Sequence, residues 1–205
     1  MIVIIWCNCF AKITKKFIEA LLERTQRREE GLKKNIILIG FMGVGKGTTA
    51  RAFAKKYGTY IIDTDDLIES KENKEIKKIF EKEGETYFRA QEQATADWIE
   101  KCVDETLISC GGGFYKVSNL KALGTVVLLD ATFEWILKRL KNAKNAKTKL
   151  AKRPLFSKEK EAKRLYKERE KAYKEVADVI INVADKHLDE IIDEIAGKCA
   201  AITKR

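Results

Sequence analysis

The fold is decided by the stretch IILIGFMGVGKGTTARAFAKKY, residues 36–57, in which a short apolar run meets a glycine-rich turn. The run IILI predicts a buried strand, and TTARAFAKKY predicts a helix that follows the turn directly. Between them, Gly40, Gly45 and Lys46 have the spacing G-x-x-x-x-G-K, in which backbone N–H groups at a helix start surround phosphate oxygens. The stretch therefore predicts a strand–loop–helix unit that binds the phosphates of a nucleotide.

Four further apolar runs follow along the chain: YIIDTD, TLISCGGG, TVVLLD and ADVIINV. The segments between them are charged and carry helical spacing, as in Phe88, Gln91, Thr95 and Trp98. Apolar strands separated by helices indicate a parallel sheet that is covered on both faces. We therefore predict an α/β fold of three layers, with a five-stranded parallel sheet whose strand-to-helix turns gather at one edge and bind ligands there.

Two segments fall outside this alternation. Residues 1–33 are predicted to form an N-terminal extension, helical or frayed, with a membrane-surface or partner-binding helix as the alternative. Residues 34–197 are predicted to form the domain, and residues 198–205 a C-terminal tail. The lysine-rich residues 141–164 hold the chain's one proline, Pro154, and read as either a solvated surface or a lid.

Composition limits the possible functions. The chain has 205 residues, of which 45% are hydrophobic and 35% charged, so it is neither disordered nor collagen-like. No apolar run approaches the length of a membrane span, and the net charge of +10 predicts an affinity for anions. With His187 as the one histidine, a two-histidine zinc site is impossible.

The cysteines are odd in number and scattered, at positions 7, 9, 102, 110 and 199. Such a set favours a reduced protein, so we expect a cytoplasmic location. The Cys7-x-Cys9 pair leaves open a metal site completed from elsewhere, although no second close pair exists.

The turn departs from the usual signature at one position. A serine or threonine normally follows the lysine and binds Mg²⁺, but here the residue is Gly47, followed by Thr48 and Thr49. The hydroxyl of Thr48 points about 100° away from that position, because a helix has 3.6 residues per turn. We expect Thr48 to meet an α-phosphate, and Mg²⁺ to be held by phosphates, water and other side chains.

Polar residues that suit a second substrate follow the other strands. Asp63 and Asp65 lie two apart at a predicted strand end, so both carboxylates are predicted to point the same way, one to a metal and one to an acceptor hydroxyl. Helix capping is the alternative interpretation for these acids. The remaining candidates are Arg89, Glu92, Gly111 to Gly113, Arg153 and Arg169. Of these, Arg169 precedes Tyr173 by four positions.

Taken in order, these motifs resemble the shikimate kinase family over about residues 35–195. The segments that carry the resemblance are GFMGVGKGTTA, IDTDDLIE, IFEKEGETYFRAQE, ISCGGGF, KRPLF and the ERExxxY–VAD stretch. The resemblance implies a P-loop fold similar to nucleoside monophosphate kinases, with a mobile lid at about residues 141–160. It also implies transfer of the γ-phosphoryl group of ATP to the 3-hydroxyl of shikimate, a step of aromatic amino acid biosynthesis.

The resemblance further implies roles by position. Asp63 would hold Mg²⁺ through water supported by Ser109, and Phe80 and Phe88 would wall the acceptor ring unless they are plain core residues. The implied catalytic residues are Lys46, Asp65 and Arg153, with Arg153 carried on the lid. The implied ATP-binding residues are Gly43, Val44, Gly45, Lys46, Gly47, Thr48, Arg139, Arg153 and Lys186. The implied shikimate-binding residues are Asp65, Arg89, Gly111, Gly112, Gly113 and Arg169.

Two rival functions remain open from the sequence. The motif GKGT is similar to adenylate kinases and suggests a kinase for another acceptor, such as a nucleoside monophosphate or another small molecule. The net charge of +10 suggests a non-catalytic module for nucleic acid, or a degenerate kinase without its metal ligand. We expect ATP and shikimate as ligands and a monomer, with no nucleic acid and no membrane as partner.

Overall fold

A computed structural model describes residues 35–143 and 154–203. The predicted N-terminal extension, residues 1–33, lies outside the described residues. So does the central part of the predicted lid, residues 144–153, which includes Arg153.

The described residues contain one five-stranded sheet, and all of its strands are parallel. The strands are β1 (Ile36–Ile39), β2 (Tyr60–Asp63), β3 (Thr106–Ser109), β4 (Thr125–Asp130) and β5 (Val179–Asn182), in the spatial order β2-β3-β1-β4-β5. Ile37 of β1 pairs with Ile108 of β3 on one side and with Val126 of β4 on the other. The predicted fold class is confirmed, and each of the five predicted strands is present, although β2 ends at Asp63 rather than at Asp65.

Helices cover the sheet and connect its strands. In chain order the described helices are α1 (Lys46–Tyr57), α2 (Thr64–Glu72), α3 (Ile76–Lys82), α4 (Gly84–Cys102), α5 (Leu120–Leu123), α6 (Phe133–Lys141), α7 (Glu159–Val176) and α8 (Leu188–Thr203). Short 3₁₀ turns occur at Phe114–Lys116 and Pro154–Ser157. None of the helices in the described ranges is long and apolar enough to cross a membrane.

The order of the strands positions the ligand site. The chain passes from β1 to one edge of the sheet and later returns across β1 to build the other half. A crevice therefore opens beside the carboxyl end of β1, where ligands bind in such folds. Helix α1 starts there after Gly45 and ends at Tyr57. The next residue, Gly58, has a left-handed backbone (φ 69°) and caps the helix, since its N–H bonds to the carbonyl of Ala54.

Two expectations need correction. The helical spacing placed Trp98 on the same stripe as Phe88, but Trp98 is 45% exposed and the buried stripe of α4 runs through Glu92, Ala96 and Ile99 instead. The boundary at residue 197 falls inside α8, which continues through Thr203. Within that last part of the helix, Cys199 is buried in the main core.

Asn35 joins three elements at the amino-terminal edge of the sheet: the end of α4, the end of α5 and the start of β3. Its side-chain Nδ2 donates to the carbonyls of Val103 and Leu123 at 2.8 and 2.9 Å, and its Oδ1 accepts from the N–H of Thr106 at 3.1 Å. The side chain is buried, so no water replaces these bonds if it is removed. We therefore regard Asn35 as a structural residue.

Asn35→Ala is expected to lower the free energy of unfolding by about 2–5 kcal/mol, because it leaves buried backbone groups unpaired. Urea denaturation of the two proteins measures the difference. Asn142→Ala, at the exposed C-terminal end of α6, is the matched control and should change stability little. A loss below about 1 kcal/mol for Asn35→Ala would contradict the assigned role.

Candidate active site

The glycine-rich turn after β1 forms a phosphate-binding loop, here called the P-loop (residues 40–46). Gly43 and Gly45 have backbone φ angles of 86° and 123°, which residues other than glycine rarely adopt. The backbone N–H groups of Thr48 and Thr49 bond to the carbonyl of Gly45, so helix α1 begins within the loop. The Nζ of Lys46 lies inside the loop and donates to the carbonyl of Gly40 at 2.7 Å. The loop thus combines a helix start with a lysine, as phosphate binding requires.

Two predicted ATP-binding cations have different partners in the structure. Arg139 of α6 donates from Nη1 to the carbonyl of Gly43 at 2.8 Å and lies over the ring of Trp135 at 5.8 Å. Lys186, between β5 and α8, pairs instead with Glu194 at 2.6 Å. Arg139 therefore contacts the P-loop, whereas the side chain of Lys186 is bound to Glu194 of α8.

The two acidic residues at the end of β2 and the start of α2 differ from the expected arrangement. Strand β2 ends at Asp63, and Asp65 lies in the first turn of α2, so the two do not alternate along one strand. Asp63 caps the helix by accepting from the N–H of Asp65 at 3.0 Å, which is the capping alternative raised from the sequence. Its second oxygen accepts from the hydroxyl of Ser109 at 2.9 Å. The expectation of two parallel carboxylates is wrong, because the strand ends before Asp65.

The glycine loop (residues 111–113), which follows β3, is the centre of the second half of the site. The carboxylate of Asp65 lies against Gly111, and the guanidinium of Arg89 lies against Gly113, each so close that a Cβ on the glycine would collide with it. Arg169 and Tyr173 both donate to the carbonyl of Gly112, at 2.8 and 2.6 Å. Residues from α2, α4 and α7 therefore meet around three consecutive glycines.

A buried ion pair supports Arg89 in this position. Its Nη1 donates to Glu92 at 2.6 Å, and its Nη2 donates to Glu85 at 2.7 Å. Burial raises the pKa of Glu92, while Arg89 and Arg169 oppose that rise. Among the described residues, Oε1 of Glu92 and Nε of Arg169 are buried without a hydrogen-bond partner. Buried polar atoms of this kind are normally satisfied, so a bound water or a ligand atom would complete the hydrogen bonds of both.

Glu92 was a candidate from the sequence without an assigned role, and Tyr173 and Thr64 were not among the candidates. Glu92 lies three residues after Arg89 and Tyr173 four after Arg169, spacings that put each pair on one helix face. Thr64 accepts from the N–H of Gly111 at 2.9 Å and fixes the glycine loop to α2. The helical spacing was the available signal for the first two, whereas nothing in the sequence pointed to Thr64.

The two phenylalanines behave differently. Phe88 is buried with Ile68 and Ile79 in a small separate cluster, whereas Phe80 is 37% exposed. Their ring centroids are 4.7 Å apart. Phe88 is thus a core residue that also supports Phe80, and only Phe80 has substantial free surface.

Asp65 has unusual electrostatics. Burial, reinforced by the charge of Asp63, raises the pKa of Asp65 from 3.8 to about 7. A carboxylate with a pKa near the working pH is suited to exchange a proton with a substrate hydroxyl. Geometry and electrostatics both favour Asp65 for contact with the acceptor.

The residues around Asp63 fit Mg²⁺ only as a partial, water-mediated site. One carboxylate oxygen and the hydroxyl of Ser109 lie together, beside the open face of Gly47. In the described residues, no cluster of three or more Asp, Glu, His or Cys side chains is placed to hold a metal. Mg²⁺ at phosphates commonly uses one or two carboxylates and keeps several waters, so this oxygen donor set suits it.

The comparisons with known proteins agree with this site. A sequence model of the family described as shikimate kinase matches residues 42–200. The chain belongs to the shikimate kinase family. A shikimate kinase of Helicobacter hepaticus is 43% identical over 73% of this chain and 86% of its own length. A shikimate kinase of a Sulfurihydrogenibium species is 39% identical over 80% of this chain and 97% of its own.

Solved structures of the family have the same fold. The shikimate kinase of Aquifex aeolicus matches with a TM-score of 0.64 and 29% identity, over 82% of this chain and 96% of its own. The shikimate kinase of Acinetobacter baumannii, solved in complex with shikimate, matches with a TM-score of 0.63 and 28% identity, over 82% and 94%. The family predicted from the sequence is confirmed, as is a kinase activity that uses ATP.

Proposed function

We propose that this kinase transfers the γ-phosphoryl group of ATP to a hydroxyl of shikimate, the 3-hydroxyl by resemblance to its family. One observation carries the proposal: Asp65, Arg89 and Arg169 converge on the glycine loop, beside the P-loop. Two guanidinium groups suit a carboxylate, and a carboxylate with backbone groups suits ring hydroxyls. The arrangement fits a polyhydroxylated acid better than a nucleoside monophosphate.

In this proposal the nucleotide is held by Gly43, Val44 and Gly45 of the P-loop and by Gly47 and Thr48 at the start of α1. Lys46 exchanges its bond to the carbonyl of Gly40 for the β- and γ-phosphates. Arg139 stays against the P-loop, near the base side of the site. Lys186 takes part through its backbone, since its side chain is bound to Glu194.

On the acceptor side, Arg89 and Arg169 bind the carboxylate of shikimate. Asp65 orients the attacking hydroxyl and accepts its proton, while Gly111, Gly112 and Gly113 allow the ring to approach the backbone. Little covalent chemistry is needed in phosphoryl transfer, so positioning and charge stabilisation dominate. The acceptor oxygen thus gives its proton to Asp65 and forms the bond to the γ-phosphorus, while ADP leaves from the P-loop side.

Mg²⁺, when bound, would neutralise phosphate charge. Asp63, with Ser109, would hold it through water, and Gly47 offers it no oxygen. Arg153 on the lid of about residues 141–160 is proposed to add charge over the phosphates and exclude water. A monomer and a cytoplasmic location also stay predictions.

The direct test is ADP release by the purified full chain with ATP and Mg²⁺, with and without shikimate. Shikimate-dependent release is expected, with AMP, CMP and gluconate as comparison acceptors. Release that depends on one of those instead would overturn the acceptor assignment. ATP binding without turnover by any acceptor would favour a degenerate kinase.

Gly47→Ser is expected to lower the free Mg²⁺ concentration needed for half-maximal activity by about 10-fold. A Cβ at this position has ordinary contact distances to its neighbours, and the added hydroxyl would face the metal region. Gly47→Ala is the matched control, because it fills the same space without an oxygen. The account of the metal site is wrong if the serine variant keeps the wild-type Mg²⁺ dependence.

A further inference from the structure

Arg51 of α1 lies one helical turn after Gly47, on the same face of the helix. A Cβ placed on Gly47 would lie 3.5 Å from Nη1 of Arg51 and 3.9 Å from Oδ2 of Asp63. The guanidinium and the carboxylate therefore border the open face of Gly47 together. This is the position from which a serine or threonine would otherwise bind the metal.

The surroundings leave Arg51 able to act on a ligand. Its side chain is exposed, so its guanidinium is hydrated and can exchange water for phosphate oxygens. The Cα of Arg51 lies one helical turn after Gly47, but its side chain extends back along the helix, so that the guanidinium lies near Gly47. A triphosphate bound in the P-loop would bring its negative end toward this cation, and guanidinium groups bind phosphate with two parallel hydrogen bonds.

We propose that Arg51 is a nucleotide-binding residue, whose guanidinium reaches the terminal phosphates of ATP across the side-chain-free face of Gly47. Arg51 then supplies part of the positive charge that a more tightly held metal would supply. The chain consequently retains affinity for ATP when Mg²⁺ is scarce. This inference rests on the proposed function only in taking the P-loop as an ATP site.

The test is ATP binding by the full chain without metal, measured calorimetrically in EDTA at low salt and repeated with saturating Mg²⁺. Arg51→Gln is expected to weaken ATP binding in EDTA by about 10-fold, the lower end of the range for charge-assisted hydrogen bonds because the side chain is exposed. With saturating Mg²⁺ the loss should shrink to about 3-fold or less, because the bound metal then neutralises much of the phosphate charge.

Lys55→Gln is the matched control, since it removes the same charge from an exposed position one turn further along α1. It should leave ATP affinity in EDTA unchanged. Equal affinities of the Arg51→Gln variant and the wild type in EDTA would overturn the inference, as would an equal loss in the Lys55→Gln variant. Because no acceptor is present, the result is independent of whether shikimate is the substrate.

Discussion

Asp65→Asn is expected to lower kcat by about 10²–10⁴-fold, the range for removal of a general base. The asparagine keeps the size of the side chain against Gly111 but cannot accept a proton from the attacking hydroxyl. ATP affinity should change little, because Asp65 lies on the acceptor side. Steady-state ADP release measures kcat, and Asp66→Asn, one residue along α2 and exposed, is the matched control.

The same variant should be more stable than the wild type above neutral pH. The folded-state pKa of Asp65 is raised from 3.8 to about 7, so the folded protein keeps a proton there that the unfolded chain has released. This group therefore favours folding below about pH 4, and its contribution is lost as the pH rises through about 7. Asn carries no charge to bury, so Asp65→Asn should raise the free energy of unfolding by about 2–4 kcal/mol at pH 8 and little at pH 4.

The difference between variant and wild type, measured in EDTA without nucleotide, isolates Asp65 from the other carboxylates. If Asp65→Asn loses activity but its stability difference from the wild type does not change with pH, the contact of Asp65 with the acceptor stands. The raised pKa of Asp65 is then wrong. Wild-type kcat in the variant would reject Asp65 as the base.

Arg89→Ala has the second large expected effect, a loss of about 10- to 150-fold in shikimate affinity with ATP affinity spared. The substitution removes a charge-assisted hydrogen bond to the acceptor carboxylate. It also leaves the buried Glu92 without its partner at 2.6 Å, which should cost about 1–3 kcal/mol of stability because the side chain of Arg89 is partly exposed. Equilibrium binding of each substrate and urea denaturation measure the two effects separately.

The double variant Arg89→Ala with Glu92→Gln separates binding from stability. Neutralising Glu92 removes the uncompensated buried charge, so most of the stability should return. Shikimate affinity should not return, because the cation is still absent. Recovery of shikimate affinity in the double variant would show that Arg89 acts through folding rather than through the ligand.

The strands were predictable because each is a short apolar run bounded by turn residues, and burial of a parallel sheet requires little else. The face of α4 was harder. Hydrophobic spacing selects Trp98 for the buried stripe, but the structure buries Glu92 there and exposes Trp98. A carboxylate becomes buried only when a partner such as Arg89 lies on the same face, and hydropathy does not register that pairing.

The sequence predicted which residues form the candidate site but only part of their arrangement in space. The motifs select Asp63 and Asp65 together, yet the end of β2 and the start of α2 fall between them. The convergence of Arg89 and Arg169 on the glycine loop depends on contacts between residues far apart in the chain, which no local pattern contains. No motif in the sequence selects Arg51, whose guanidinium is placed beside Gly47 only by the fold.

Helix α7 touches both halves of the site with one face. Tyr166 packs its ring on Phe41 of the P-loop, with centroids 5.3 Å apart, and Arg169 and Tyr173 hold Gly112. Helix α7 thus links the two loops by direct contacts, which gives a shift of one loop a route to the other. Any resulting cooperativity between the two substrates must be reciprocal: the factor by which ATP changes the affinity for shikimate equals the factor by which shikimate changes the affinity for ATP.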